Sequence, residues 1–358
     1  MTMEEKLIKK MAICSTLFAL VVSIVLFQLP SQGAAETMAE QTADATPVDS
    51  DEETMNYYDG DTAESGTNSN VTSYLKIPLP TEVKEDDITI EDVYVNQTIK
   101  ISINNIDSDF FDNNPLVGSS DHISNVVYGT VDGVVQIELV LDSTYEYDAE
   151  YVDNSLDISF IEPKSLYDHV VVIDAGHGSK ASGTVHYNAV EKDINLDIVL
   201  KLKAILDASD IKAYYTRTDD SNPSFEARAN LANNVNADFF ISVHNNGDTS
   251  ASSSAGTEVL YNETEEESAF GSKQLAQICQ DSVVSALGTR DRGLVTGSDI
   301  YIIRSSKVPV ALVEVGFITN KTEAASLSTD SYQQKAAQAI FDAIVKAYDE
   351  RDSVISGD

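Results

Sequence analysis

Two histidines and two glutamates in this 358-residue chain have the types and settings that metal-assisted hydrolysis needs: His177, Glu191, His244 and Glu314. His177 follows the apolar run Val170-Val-Val-Ile-Asp-Ala-Gly-His-Gly178, and His244 closes Phe239-Phe-Ile-Ser-Val-His244 just before Asn245-Asn246. Glu314 interrupts Val310-Ala-Leu-Val-Glu-Val315, and Glu191 opens Glu191-Lys-Asp-Ile-Asn-Leu196. A catalytic zinc takes three protein ligands of the imidazole and carboxylate type and leaves one position open. His177, Glu191 and His244 supply such a set. A further group must then take and return protons, and Glu314 is the candidate. A neighbouring cation favours its ionised form, while burial pushes the other way. Gly176 and Gly178 are expected to free the backbone that turns His177 inward. Taken singly, each residue has a plainer reading. His177 could sit in a polar turn, and Glu191 could be a helix N-terminal carboxylate favoured by the macrodipole. Glu314 inside an apolar strand is costly unless paired or used.

What joins the four is the pattern of elements around them. From Tyr167 to about Tyr348, near-continuous apolar strands alternate with helical spacing. The strands are read over 169–174, 212–215, 238–243, 257–261 and 308–315. The helices are read over 194–206, 225–235, 275–287 and 333–348. Such alternation predicts an α/β fold, a mostly parallel sheet with helices on both faces. In open sheets of this kind function collects beyond the carboxyl edge of the strands, which is where both histidines and Glu314 fall. From Leu75 to about Pro163 the pattern is different. Short alternating runs, with Asn96-Gln97 and Asp132-Gly133 as turns, predict a small all-β sandwich-like domain ahead of the α/β unit. No cluster of chemistry-bearing residues marks this part, and His122 reads as a solvated surface histidine.

Composition narrows the function further. Lys and Arg number 23 against 59 Asp and Glu, a formal net charge of −36. So acidic a chain lacks the basic footprint that holds phosphate backbones, which argues against nucleic acid as a partner. Two cysteines, Cys14 and Cys279, exclude a disulfide framework or a Cys-rich zinc finger. At the N-terminus, Lys6, Lys9 and Lys10 precede an apolar run from Met11 to Leu29, ended by Pro30 and small residues. Residues 1–33 are read as either a cleaved signal peptide or a single-pass membrane anchor. Both readings put the remainder outside the cytoplasm, secreted to the cell wall or held at the outer face of the membrane. Residues 34–74 read as an acidic disordered linker, 75–165 as the β-rich domain, 166–350 as the catalytic domain and 351–358 as a disordered tail.

The region from His169 to Tyr348, about half the chain, resembles the zinc-dependent N-acetylmuramoyl-L-alanine amidases of the amidase 3 class. The motifs occur in order: Val171-Val-Ile-Asp-Ala-Gly-His-Gly178, Glu191-Lys-Asp-Ile-Asn-Leu-Asp197, Tyr215-Thr-Arg-Thr218, Glu226-Ala-Arg228 and Ala237-Asp-Phe-Phe-Ile-Ser-Val-His-Asn-Asn246. Arg290-Asp-Arg-Gly293, Tyr301-Ile-Ile-Arg304 and Val313-Glu-Val-Gly-Phe-Ile-Thr-Asn320 complete the set. The resemblance implies zinc as cofactor, peptidoglycan as substrate, and a cut at the amide between N-acetylmuramic acid and L-alanine of the stem peptide. It also implies His177, Glu191 and His244 as ligands and Glu314 as the catalytic carboxylate. Ala175 and Ser179 depart from residues common in the family, proline and glycine, without removing a ligand. The helical insertion that covers the metal in some members has no counterpart between Thr257 and Lys273, so an open site is expected. The β-rich region is similar in pattern to AMIN-type domains, which would imply wall targeting; a spacer is the alternative.

Asn246 and Arg304 are the candidates for substrate contact. Arg217, Arg228 and Arg292 could equally orient acidic partners within the fold. Asp174 is read as orienting a ligand or capping a loop, and Cys279 as a core residue. Two rival functions remain at this point: a zinc peptidase or deacetylase acting on the same polymer, and a non-catalytic wall-binding module.

Overall fold

The β-rich part shows how alternation becomes a core. In the computed structural model, which describes residues 74–119, 121–248, 252–264 and 270–356, it forms two antiparallel four-stranded sheets. One has the order β4-β1-β8-β7, built from β1 (Tyr74–Pro78), β4 (Val117–Ser119), β7 (Glu146–Val152) and β8 (Ser155–Ile161). The other has the order β2-β3-β6-β5, built from β2 (Ile88–Val93), β3 (Thr98–Ile103), β5 (Ile123–Val131) and β6 (Val134–Leu141). Every second residue of β6 (Val135, Ile137, Leu139, Leu141) is buried and meets Ile77, Ile101, Ile103 and Ile158 in one core. Asp132 and Gly133 both take left-handed backbone (φ 51° and 82°) and join β5 to β6 as a two-residue hairpin. The link from β2 to β3 is longer than the sequence suggests. Val93 pairs with Thr98, and Tyr94–Asn96 form a 3-10 turn before a left-handed Gln97. Tyr94 and Val95 are thereby turned onto the core of the α/β part, where they pack. A four-residue helix α1 (Phe110–Asn113) lies within the sandwich, and α2 (Pro163–Leu166) leads out of it.

The α/β part has a six-stranded sheet in the order β12-β9-β13-β16-β14-β15. Here β9 is Val170–Ala175, β12 Lys212–Tyr215, β13 Phe239–Asn246, β14 Thr257–Tyr261, β15 Asp291–Thr296 and β16 Val310–Phe317. Strands β12, β9, β13 and β16 run parallel, β14 runs against β16, and β15 follows β14. A small hairpin, β10 (Val185–His186) with β11 (Ala189–Val190), lies outside this sheet. Alternate residues of the strands feed two cores. Val171, Ile173, Ile241 and Val313 pack with α3 (Glu191–Leu206), α5 (Ser272–Leu287) and α8 (Asp330–Ser356). Val170, Val172, Phe240 and Leu312 pack with α4 (Phe225–Asn234) and α6 (Tyr301–Arg304). The short α7 (Lys321–Leu327) follows β16. Cys279 is fully buried in the first core, and burial pushes its thiol up to about 12.

Helix α8 continues to Ser356, so residues 351–356 belong to it rather than to a tail. The reason is Arg351, whose guanidinium pairs with Asp238 and lies 4.9 Å from the ring centre of Tyr348. The N-terminal segment read as signal or anchor, and the acidic linker up to residue 73, lie outside the described residues. Among the described residues no helix is long and apolar enough to cross a membrane.

A polar node joins sandwich to sheet. Glu146 of β7 accepts from Lys212 Nζ and from the Tyr214 hydroxyl, each at 2.6 Å. Tyr94 meets Tyr214 edge-on with ring centres 5.0 Å apart. Asp92 has a buried Oδ1 with no hydrogen-bond partner, and its carboxyl is pushed from 3.8 to about 6, first by burial and then by the Glu146 charge. A carboxyl whose folded pKa is raised favours the folded state while protonated and loses that contribution as pH rises through the folded value. We therefore expect Asp92→Asn to gain stability over wild type by roughly 1–3 kcal/mol at pH 7. The gap should close as pH falls toward 4. Urea unfolding midpoints of both proteins across that range check this.

Candidate active site

Strand β9 delivers His177 through a turn that a histidine would not adopt unaided. His177 has φ 65°, Gly178 φ 141° and Ser179 φ 47°, and left-handed backbone costs a residue with a Cβ roughly 1–2 kcal/mol. Two buried arginines hold the turn in place. Arg217 donates through Nε to the carbonyl of Ala175 (2.8 Å) and through Nη2 to those of Gly176 (3.0 Å) and Lys192 (2.9 Å). Arg228 donates to the carbonyls of Ala175 (2.9 Å) and His177 (2.8 Å). Its charge is met by Asp174 at 2.6 Å, which also accepts from Thr216 and Ser242. Burial pushes the Asp174 carboxyl up, but Arg228 and the two hydroxyls outweigh it and hold the group below its ordinary value. Asp174 thus acts on Arg228, and through it on the turn. Gly176 proves to matter for space rather than backbone freedom: a Cβ there would clash with the His244 ring, 2.1 Å from Nε2.

Glu191, the first residue of α3, is where the two histidines meet. His177 Nε2 is 3.0 Å and His244 Nδ1 2.9 Å from the same oxygen, Oε1, and the backbone N–H of Asn245 donates to it at 3.3 Å. Oε2 accepts from the Thr184 N–H at 2.7 Å. Burial pushes this carboxyl up, yet the hydrogen bonds and charges of the two imidazoles outweigh it and hold it well below the usual carboxylate range. One ligand atom from each of His177, Glu191 and His244 lies within 4.8 Å of the others. Two imidazole nitrogens and a carboxylate oxygen are the donor set of a catalytic zinc. A Cβ on Gly183 would strike Glu191 and His177, as one on Gly176 would strike His244. The chain keeps the space around these donors clear, and the residues fit a divalent cation.

Glu314 stands directly across from His244 in the parallel pairing of β16 with β13, so both side chains leave the same face. Its Oε2 is sealed from solvent and has no hydrogen-bond partner. Burial first, then the charges of Glu191 and Glu258, raise this carboxyl well above its ordinary value. Of the two opposing influences weighed from the sequence, burial is the one the protein side chains deliver.

Glu258 is a neighbour the sequence reading missed. It pairs with Glu314 because β14 runs antiparallel to β16, and it accepts from Asn246 Nδ2 and Arg292 Nε, each at 2.6 Å. Its place in Thr257-Glu-Val-Leu-Tyr261 was legible, but the strand's direction was not. Asn195 and Asn245 were also missed. Asn245 donates to Asn195 Oδ1 (2.8 Å), and Asn195 donates to the Gly176 carbonyl (3.1 Å). The spacing of Asn195 four residues after Glu191, on one helix face, was the available signal.

The two candidates for substrate contact part company. Asn246 is brought beside Glu258, with its amide already donated. Arg304 is not brought to the site. It donates to the Asp299 carbonyl and lies 5.1 Å from the Tyr301 ring centre. The chain leaving β15 emerges at the opposite edge of the sheet, where Gly297 bonds Tyr261, the partner of Ala311 at the start of β16.

The family model for N-acetylmuramoyl-L-alanine amidase, amidase 3, matches residues 171–346, which include His177, Glu191, His244 and Glu314. The amidase LytC of Bacillus subtilis is 40% identical over 178 residues, covering 50% of this chain and 35% of LytC. The chain thus spans about a third of that relative. The uncharacterized protein YqiI of the same organism is 40% identical over 190 residues, covering 53% of this chain and 87% of YqiI. A solved N-acetylmuramoyl-L-alanine amidase from Clostridium difficile 630 is 36% identical, covers 51% of this chain and 97% of its own, and superposes with a TM-score of 0.48.

The arginine clasp leads to a pair of expected outcomes. Arg228→Ala leaves Asp174 buried and unpaired and should destabilise the fold by about 3–5 kcal/mol in urea unfolding. Arg217→Lys keeps the charge but loses the fork that reaches several carbonyls. It should weaken divalent-cation affinity about 10–100-fold in chelator competition while the protein stays folded.

Proposed function

The chain belongs to the N-acetylmuramoyl-L-alanine amidase family, and we propose that it hydrolyses the amide joining N-acetylmuramic acid to L-alanine in peptidoglycan. His177, Glu191 and His244 would hold the zinc ion. When bound, such an ion lowers the pKa of a water and polarises a carbonyl oxygen. The observation that carries the reading is the pairing of this donor set with a carboxyl, Glu314, whose buried Oε2 has no hydrogen-bond partner.

The chain's own groups divide the remaining work. A carboxyl raised by burial binds a proton more firmly than a solvated one, so Glu314 is suited to take the proton of the attacking water and return it to the departing alanine nitrogen. Glu191 is held ionised by its two imidazole neighbours and does not compete for that proton. Glu258 is tied to Arg292 and Asn246 and adds negative charge beside Glu314. Asn246 is assigned to holding Glu258 in place. The reaction belongs outside the cytoplasm, where the polymer is, and the N-terminal segment is the device we assign to delivering the chain there.

The decisive experiment is digestion of purified sacculi by the full chain with and without zinc, with products identified by mass. Zinc-dependent appearance of stem peptides with a free L-alanine amine is expected. Cleavage within the stem peptide, or loss of acetyl groups from the sugars, would instead identify a peptidase or a deacetylase. Glu314→Gln should retain zinc while turnover falls about 100- to 10,000-fold. Unchanged turnover in that variant would show that Glu314 does not carry the proton.

A further inference from the structure

Between His177 and Glu191 the chain leaves the site and returns as the β10–β11 hairpin. The base of the hairpin is part of the site. Thr184 N–H donates to Glu191 Oε2 at 2.7 Å, and the Glu191 N–H donates back to the Thr184 carbonyl at 3.0 Å. Gly183, one residue earlier, lies against both Glu191 and His177.

The tip is different in character. Val185, His186, Tyr187 and Asn188 are all exposed, Val185 by 55% and Tyr187 by 47%. Tyr187 and Asn188 both have left-handed backbone, φ 50° and 63°. For a two-residue turn of this form Asn-Gly is the relaxed choice, so a bulky ring at Tyr187 is kept against a local preference. That ring meets His186 edge-on, with centres 4.3 Å apart, and belongs to none of the three hydrophobic cores. Its contribution to packing does not account for it.

Charge narrows the ligand. From Ala181 to Val190 there is no Asp, Glu, Lys or Arg, in a chain carrying 59 acidic and 23 basic residues. Beside the site the exposed tip therefore presents an aromatic face, an imidazole, an amide and a valine, with no carboxylate, ammonium or guanidinium of its own. This is the chemistry that takes a neutral sugar ring. An aromatic face can receive the C–H side of the ring, and the exposed His186 and Asn188 carry groups able to bond hydroxyl and N-acetyl groups. A stem peptide bearing ionised groups would call for charged partners, which this segment lacks.

We propose that the hairpin tip, Val185 to Asn188, is a saccharide subsite that holds the N-acetylhexosamine strand on the sugar side of the scissile amide. The choice of polymer rests on the amidase reading. The tip lies about 10 Å along an extended chain from Thr184, close enough for one polymer to engage both the subsite and the metal centre.

The test uses glycan chains stripped of stem peptides, titrated calorimetrically into the full chain carrying Glu314→Gln. Tyr187→Gly removes the ring and suits the left-handed turn, so the variant should fold. Its affinity for the glycan should fall about 3- to 10-fold, whereas Tyr187→Phe, which keeps the stacking face, should bind within about 2-fold of the parent. Val185→Ser gives an independent variant and should also weaken binding. On sacculi, in the otherwise wild-type chain, Tyr187→Gly should raise KM more than it lowers kcat. Equal glycan affinity with and without the Tyr187 ring overturns the proposal. So does a loss confined to free stem peptides, which would make the tip a peptide contact. Glycan binding is read without turnover, so failure of the amidase reading would appear separately, as absence of cleavage by wild type.

Discussion

The hold of two buried guanidiniums on three successive carbonyls is the constraint from which the rest of the site follows. Just beyond β9, His177 takes a left-handed conformation that its own preference opposes, and Arg217 and Arg228 fix its carbonyl and those of Ala175 and Gly176. A buried ion pair is weak evidence for stability, because desolvation offsets much of the attraction. Arg228 and Asp174, with side chains 3% and 1% exposed, are better understood through position. A planar guanidinium can bond several carbonyls at once along fixed directions, as an ammonium cannot. Arg217 also reaches the Lys192 carbonyl, one residue beyond Glu191, and so links the histidine turn to the helix that bears the carboxylate.

Three carboxylates share this neighbourhood, and their surroundings set them apart. Glu191 is surrounded by donors, Glu258 has an arginine and an amide, and one oxygen of Glu314 faces no partner. Glu191 is therefore held below and Glu314 raised above the ordinary carboxyl value, two groups of one chemical type set apart by their surroundings. The antiparallel run of β14 is the topological cause, since it sets Glu258 against Glu314.

Much of this was legible in the sequence, and the exceptions have physical reasons. Apolar runs ending in His177 and His244 announced strands whose exits carry function, and Glu314 stood out because a carboxylate in an apolar strand needs a use. Glu191 was visible only by its company. Strand direction was not legible, because β14 and the parallel strands have the same apolar character. That is why Glu258 was passed over and why Arg304, in a motif beside the others along the chain, lies at the far edge of the sheet. The link at Tyr94 looked like a tight turn because local residues permit one, but its side chains serve the neighbouring core. The hairpin ahead of Glu191 is too short for any periodicity to reveal, and the continuation of α8 past residue 350 depends on a partner, Asp238, more than a hundred residues away.

Cys279 has a consequence for how the α/β unit breathes. Its thiol is walled in on all sides and remains protonated at any physiological pH. An alkylating reagent can reach it only when α5 separates from the sheet, so the labelling rate reads the free energy of that opening directly. The molecule carries its own reporter for the cooperative parting of helix and strand, at a position where neither metal nor substrate need be touched.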